Sequence, residues 1–280
     1  MKCEVVTTRG GARAVLDHET GELMHPVVGP LVESVRLYVE PSRLAPRLME
    51  TRAPAASPAL ALLDVGLGAG SNALAAWRVS EALPASARRL SIVSFDRSAD
   101  AVALALEHAA DFGLEGEAGV AARALLADGV HETQRTTWRF HAGELPESLS
   151  IVADGLADVV YWDPFSPRAN PELWTLGAFR SLRRACGEGC TVHTYSGATA
   201  TRSALLLAGF AVGLGEPVGD EKRSTCAAVS LEALTTPLDL RWLERVRRSS
   251  APLPRDAPAD ALARIAACAQ FEPAARGTPP

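Results

Sequence analysis

Leu60-Ala61-Leu62-Leu63-Asp64-Val65-Gly66-Leu67-Gly68-Ala69-Gly70 decides the fold. Its first six residues are apolar except for one acid, which is the length and character of a buried strand. Three glycines follow at alternate positions, and Asn72 to Leu83 reads as a helix. Glycines there permit positive φ and a close approach of ligand to backbone. A helix starting just beyond them aims its first amides at that ligand. The spacing discriminates between ligands. A dinucleotide loop wants GxGxxG, and Ser71 stands where its third glycine belongs; a P-loop wants a GKS or GKT ending that is absent.

The same pattern repeats outward. Leu90 to Asp96 is a second apolar strand ending in an acid. Trp138 to His141 is a short strand before Ala142-Gly143-Glu144, and Ala157 to Asp163 is another acid-ended strand. Helices are expected over 72–83, 99–112, 118–126, 176–186 and 198–208, with strands over 191–195, 210–214 and 225–230. Such alternation predicts an α/β fold with a doubly wound, mostly parallel sheet. The last two strands have no helix between them, which predicts a late antiparallel hairpin at one edge. Each acid alone reads equally well as a turn or cap residue. Three in order at strand ends point to a ligand, because such sheets bind outside the carboxyl ends of their strands.

Residues 1–50 form a small N-terminal extension. Short strands at Val5–Thr8 and Ala14–Asp17 flank the turn Arg9-Gly10-Gly11, and Thr20-Gly21-Glu22 is a second turn. Helical spacing runs from Pro30 to Leu48, interrupted near Pro41, with Ser42 expected to cap the second piece. Residues 51–58 are an Ala/Pro-rich linker to the main domain at 58–248. The Pro/Ala-rich tail, 249–280, is expected to hold one short amphipathic helix over Ala259–Phe271 and to end in disorder.

Composition sets the outer bounds. The 280 residues are 48% hydrophobic and 22% charged, ample for a core, with a formal charge of −5. That balance excludes nucleic-acid binding through a globally basic surface, though not through a local patch. The five cysteines are scattered, and neither they nor the six histidines fall at metal-ligand spacing, so no metal is expected. The N-terminus lacks the apolar core of a signal peptide. No stretch reaches the roughly 18 apolar residues needed to span a bilayer. A cytoplasmic protein without a membrane partner is expected.

The acid-x-Gly-x-Gly-x-Gly loop resembles motif I of Rossmann-like class I methyltransferases. The resemblance implies S-adenosyl-L-methionine as cofactor, with the loop under its amino acid part. Asp64, Gly66, Gly68, Gly70 and Asn72 are then its binding set, Asp96 binds the ribose hydroxyls, and Gly143 and Glu144 reach the adenine. His25 and Tyr38 are candidates for the cofactor mouth, and each reads equally as packing.

Tyr161-Trp162-Asp163-Pro164-Phe165-Ser166-Pro167-Arg168-Ala169-Asn170-Pro171-Glu172-Leu173-Trp174 is the most specific stretch. It resembles the Asp-x-Phe-x-Pro…Asn-Pro-Glu-Leu-Trp segment of the MnmD tRNA-wobble-uridine methyltransferases and of the methyltransferase half of MnmC. Thr20 to Pro26, Leu37 to Glu40, Thr194-Tyr195-Ser196 and Gly219 to Arg223 extend the resemblance over roughly 15–230. It implies N-methylation of 5-aminomethyl-(2-thio)uridine in tRNA. Asp163 is then the acid beside the reacting amine, and Phe165 a wall for the uracil ring. By position alone, Asp163 also suits a loop cap. Arg168, Lys222 and Arg223 are the candidates for tRNA phosphates, or else solvated surface charges. Trp174 reads as core more readily than as a stacking platform. The bifunctional relatives carry a flavin-dependent oxidase domain that this chain does not extend into, so methyl transfer alone is expected. The acidic balance keeps a small-molecule amine or peptide as the alternative acceptor.

Overall fold

The computed structural model describes residues 2–8, 10–24, 29–50, 59–218 and 222–272. His25 and the linker 51–58 lie outside them, as does most of the loop between Val218 and Lys222.

The chain opens with β1 (Cys3–Thr7) and β2 (Arg13–Asp17), paired antiparallel, and β3 (Leu23–Met24), paired with β2. Asp17 fixes the turn into β3, its Oδ1 accepting from the Thr20 amide at 2.7 Å and hydroxyl at 2.8 Å. Next comes α1 (Pro30–Ser34), which runs directly into one π-helical turn, Val35–Val39, before α2 (Leu44–Met49). The interruption thus begins before Pro41. Ser42 does not cap α2, because Arg43 occupies the N-cap with φ of 53°. The Ser42 hydroxyl instead donates to the Val39 carbonyl at 2.9 Å, closing the π turn, and meets the Tyr161 hydroxyl at 3.1 Å.

The main domain alternates β4 (Leu60–Val65), α3 (Ser71–Glu81), β5 (Leu90–Asp96), α4 (Asp100–Glu107), α5 (Ala109–Phe112), α6 (Glu117–Asp128), β6 (Val130–Glu132), β7 (Thr136–Ala142), β8 (Ala157–Trp162), α7 (Leu176–Ala185), β9 (Cys186–Thr194), α8 (Thr199–Leu207), β10 (Ala211–Val218) and β11 (Lys222–Ala228). The helix expected over 99–112 is broken at His108, where φ is −115°. Two further helices close the described chain, α9 (Leu240–Arg248) and α10 (Ala261–Ala266). The sequence reading passed over α9, although Leu240, Trp242, Leu243 and Val246 recur at helical spacing in it.

The eight strands from β4 onward form one sheet in the order β6-β7-β5-β4-β8-β9-β11-β10. β7, β5, β4, β8 and β9 are parallel to one another. β6 joins one edge antiparallel, and the expected late hairpin β10–β11 joins the other, with β11 inserted beside β9. Alternate strand residues face opposite layers. Leu60, Leu62, Leu90, Ile92, Trp138, Val159 and Tyr161 meet the layer containing α3, α4 and α6. Leu63, Val65, Phe95, Val160 and Trp162 meet the layer containing α7, α8 and α9. Tyr161 and Trp162, bulky for a central strand, are both fully buried; the Tyr161 ring lies 5.4 Å from that of Tyr38 and the Trp162 ring 5.2 Å from that of Phe179.

Residues beyond α9 return to the sheet. The Phe271 ring stacks on that of Trp242 at 6.2 Å. The Gln270 amide accepts from the Val212 amide at 2.8 Å and donates to the Val212 carbonyl at 3.1 Å and the Leu238 carbonyl at 3.2 Å. Leu238 and Leu214 add backbone bonds between β10 and the segment 236–238.

Candidate active site

The carboxyl ends of β4, β5 and β8 converge. The Gly66 and Leu67 amides donate to the Phe95 carbonyl at 3.0 and 3.1 Å, and the Asp163 amide donates to the Val65 carbonyl at 2.8 Å. The loop from Gly66 to Gly70 turns sharply there, with φ of 93°, 52° and 83° at its three glycines. Gly66 is required for a second reason. A Cβ at that position would lie 2.6 Å from the Asp163 carbonyl oxygen, so any side chain would push the two strand ends apart.

A cavity of about 980 Å³ opens over this junction. Gly66, Gly68, Asp96, Glu144, Asp163 and Phe165 line it, and the N-terminal strands supply an opposite wall through Cys3, Asp17 and Thr20 to Met24. Asp96 is anchored at its floor, accepting from the Gly68 amide at 3.0 Å and the Arg97 amide at 2.7 Å. Burial raises its pKa against those two bonds. Glu144 stands at the exposed rim, 3.8 Å from Arg97.

Other residues expected to touch a cofactor stand behind the lining. Asp64 is fully buried. Its Oδ2 accepts from the Ser94 hydroxyl at 2.7 Å, and that hydroxyl accepts from the Trp138 indole at 3.0 Å. Burial lifts the Asp64 carboxyl to about 8, and its Oδ1 has no hydrogen-bond partner among the described residues. Gly70 takes the N-cap of α3 in a left-handed conformation. Gly143 donates its amide to the Asp96 carbonyl at 2.9 Å, holding β7 to β5. Asn72 and Tyr38 serve Asp163. The Tyr38 hydroxyl donates to Oδ1 at 2.5 Å, and the Asn72 amide donates to Oδ2 at 2.7 Å. The π turn is what delivers Tyr38, a residue buried at 0% exposure whose phenol is held well above its ordinary pKa by burial and by the Asp163 charge.

Asp163 therefore presents an oriented carboxylate on the cavity wall. The segment after it is pinned from two sides. Glu22 accepts from the Ser166 amide at 2.9 Å and from its hydroxyl, and Trp174 donates its indole to the Phe165 carbonyl at 2.9 Å. Trp174 is buried against Phe179 and Tyr195 and belongs to the core. Tyr195, another lining residue, donates to the Pro164 carbonyl at 3.1 Å. The sequence reading passed over the roles of Glu22 and Tyr195, because their partners lie far along the chain. In sequence Glu22 stands out only as part of a turn and of the resembling segment Thr20 to Pro26.

The wall is strongly acidic. Asp17, Glu19, Glu22, Glu33, Asp96, Asp100, Glu144, Asp163 and Glu172 face Lys2 and Arg97 across it. Such a lining favours a cationic or amine-bearing ligand and disfavours phosphate. Arg168 extends outward, 80% exposed at its side chain and 3.6 Å from Glu22. Arg223 donates through Nε to the Gly215 carbonyl at 2.8 Å. Lys222 starts β11 alongside it, its side chain outside the described atoms. Because β11 pairs antiparallel with β9, both residues sit at the same end of the sheet as the carboxyl end of β9, the end that carries the cavity.

The site suits S-adenosylmethionine on its own geometry. A glycine loop whose first glycine, Gly66, has no room for a Cβ leads to a helix, an anchored acid ends the neighbouring strand, and the buried Asp64 carboxyl keeps an oxygen without a partner among the described residues beneath.

Comparison with known proteins agrees. A family model described as S-adenosyl-L-methionine-dependent methyltransferase matches residues 116–230. The bifunctional protein MnmC of Burkholderia vietnamiensis, named for tRNA 5-methylaminomethyl-2-thiouridine biosynthesis, is 30% identical over 208 residues, covering 70% of this chain and 31% of that protein. Its namesake from Ralstonia nicotianae is 34% identical over 174 residues, covering 60% of this chain and 26% of that protein. The chain thus spans under a third of the length of these curated relatives. The crystal structure of MnmC2 from Aquifex aeolicus superposes with a TM-score of 0.70 at 24% identity, covering 94% of this chain and 85% of that one. The fold is the Rossmann-like class I methyltransferase fold.

Proposed function

We propose that the chain is an S-adenosyl-L-methionine-dependent methyltransferase that methylates the exocyclic amine of 5-aminomethyl-2-thiouridine at the tRNA wobble position. The carrying observation is the Asp163 carboxylate, held by Tyr38 and Asn72 on the wall of an acidic cavity. The names of the MnmC relatives support the same acceptor. A cytoplasmic location follows from a tRNA acceptor.

When bound, the cofactor supplies an electrophilic methyl group on a sulfonium. Gly66 and Gly68 would hold its amino acid part, Asp96 its ribose and the Glu144 rim its base. The remaining work falls to the acceptor side. An aliphatic amine arrives mostly protonated, and the acidic wall draws in that cation. Asp163 takes one proton from the arriving ammonium, to be passed on to solvent, and by hydrogen bonding to the nitrogen aims the freed lone pair along the transfer axis, so that the methylated product leaves as a secondary ammonium. Tyr38 and Asn72 keep the carboxylate from swinging away. Phe165 offers a flat apolar surface to the uracil ring.

Incubation with S-adenosylmethionine and tRNA bearing 5-aminomethyl-2-thiouridine should yield the methylaminomethyl nucleoside by mass spectrometry. Asp163→Asn should reduce the rate by roughly 10²–10⁴-fold. No methylated nucleoside from the wild-type protein would refute the acceptor. The nine-acid lining favours a second reading, a free cationic amine as acceptor, and methylation of small amines without RNA would select it.

A further inference from the structure

The arginines of α9 take no part in the site above. Arg241, Arg245 and Arg248 stand at i, i+4 and i+7 and share one face of the helix. Trp242 and Val246 bury the opposite face. The three arginines line a shallow depression together with Thr199, Ser249 and Ser250. Among the described residues none of the three makes a side-chain hydrogen bond or an ion pair, and Glu244 at the margin of the face makes none either.

Behind them lies Arg202 of α8. Its Nε donates to the Thr225 hydroxyl at 3.0 Å, and its Nη2 to the Arg223 and Ser224 carbonyls at 2.9 and 3.2 Å. Burial, and after it the nearby Arg245 and Arg223 cations, pull its guanidinium down to about 10. Positive charge is thus gathered at one place on a chain of net charge −5. Crowded like charges work against the fold where no ion pair among the described residues neutralises them, and a polyanion supplies such a partner.

The position fits. Thr199 opens α8 just past the carboxyl end of β9, four residues after Tyr195 on the cavity wall. Four residues reach about 14 Å at most, so the depression begins within that distance of the cavity. The cavity itself is acidic and disfavours phosphates. An RNA whose base enters it needs its backbone neutralised outside.

We propose that the Arg241–Arg245–Arg248 face docks the phosphodiester backbone of the RNA whose modified base enters the acidic cavity. This rests on the tRNA acceptor proposed above. The division of labour places cations against phosphates and acids against the amine.

The test compares the wild-type chain with the triple variant Arg241→Gln, Arg245→Gln, Arg248→Gln, and with the triple lysine variant. Fluorescence anisotropy measures tRNA binding over a range of salt, and calorimetry measures S-adenosylhomocysteine binding. The glutamine variant should bind tRNA at least about tenfold more weakly, and its slope of log affinity against log salt should fall by about three. Its KM for tRNA should rise, with kcat at saturation and S-adenosylhomocysteine affinity unchanged. The lysine variant should retain most of the affinity. If the wild type methylates tRNA and the glutamine variant binds it equally well, the docking face is overturned and the acceptor stands. If the wild type binds tRNA through these arginines but transfers no methyl group, docking stands and the acceptor falls. Methylation of free amines with no tRNA affinity overturns both.

Discussion

At the scale of single residues, the site depends on what holds Asp163. Tyr38 donates the shorter of its two described side-chain bonds and is buried so completely that replacement by phenylalanine keeps the packing while removing one donor. A hydrogen bond to a charged group contributes about 1.5–3 kcal/mol. Tyr38→Phe should therefore lower kcat by roughly 10–100-fold while S-adenosylhomocysteine affinity stays within about twofold. An unchanged kcat would remove Tyr38 from its positioning role. Asp64 predicts a pH effect. Burial lifts its carboxyl to about 8, so the folded chain keeps a proton that the unfolded chain has already lost. Its contribution to stability is complete in acid and disappears as pH rises through about 8. In thermal unfolding without ligand, Asp64→Asn should gain on the wild type between about pH 5 and 8. A difference in melting temperature that ignores pH would contradict this. Gly66, Gly68, Asp96, Glu144 and Asp163, all on the cavity lining, stand in the glycine loop or at strand ends, which are local signals, whereas Phe165 is named only by the resemblance. Tyr38, a candidate for the cofactor mouth or for packing, is fully buried and grips a carboxylate 125 residues away, a relation that no local pattern encodes.

At the scale of elements, two short segments set the shape of the cavity. The glycine loop can approach β8 only without side chains. Gly66→Ala puts a methyl group 2.6 Å from the Asp163 carbonyl at a φ of 93°, and should cost about 1–3 kcal/mol from backbone strain alone. Its melting temperature should fall together with cofactor affinity, and retention of both would show the junction to be softer than its geometry. The turn carrying Glu22 pins the segment after Asp163 through Ser166. Glu22→Gln weakens that tie, so KM for the acceptor should rise about 5–30-fold with S-adenosylhomocysteine affinity preserved. An effect on kcat alone would argue against a docking role. The strands were legible as apolar runs closed by acids, and the hairpin as two strands lacking a helix. The π turn was not, since it differs from an α-helix only in which carbonyl each amide selects. α9 was passed over although Trp242, Leu243 and Val246 form a regular apolar stripe, because four arginines dominate its nine residues.

At the scale of the whole molecule, opposite charges are sorted into separate places, an acidic cavity and an arginine-rich helix on a chain of modest net charge. Net charge cannot reveal such sorting. The sheet also has to finish somewhere. At one side it ends on β6, only three residues long. At the other, Gln270 and the segment 236–238 occupy the polar groups of β10 around Val212 that would otherwise face outward. A bare strand margin is a template on which a second copy can add its own strand, the first step toward aggregation. The alanine- and proline-rich stretch, in sequence only a tail with one short amphipathic helix, thus acts as a selvedge, binding the last thread so that the weave cannot continue into a neighbour. Gln270→Ala should leave monomer activity near normal and yet promote concentration-dependent association, read by light scattering; a variant that stays as dispersed as the wild type would show that the segment 236–238 guards the margin alone.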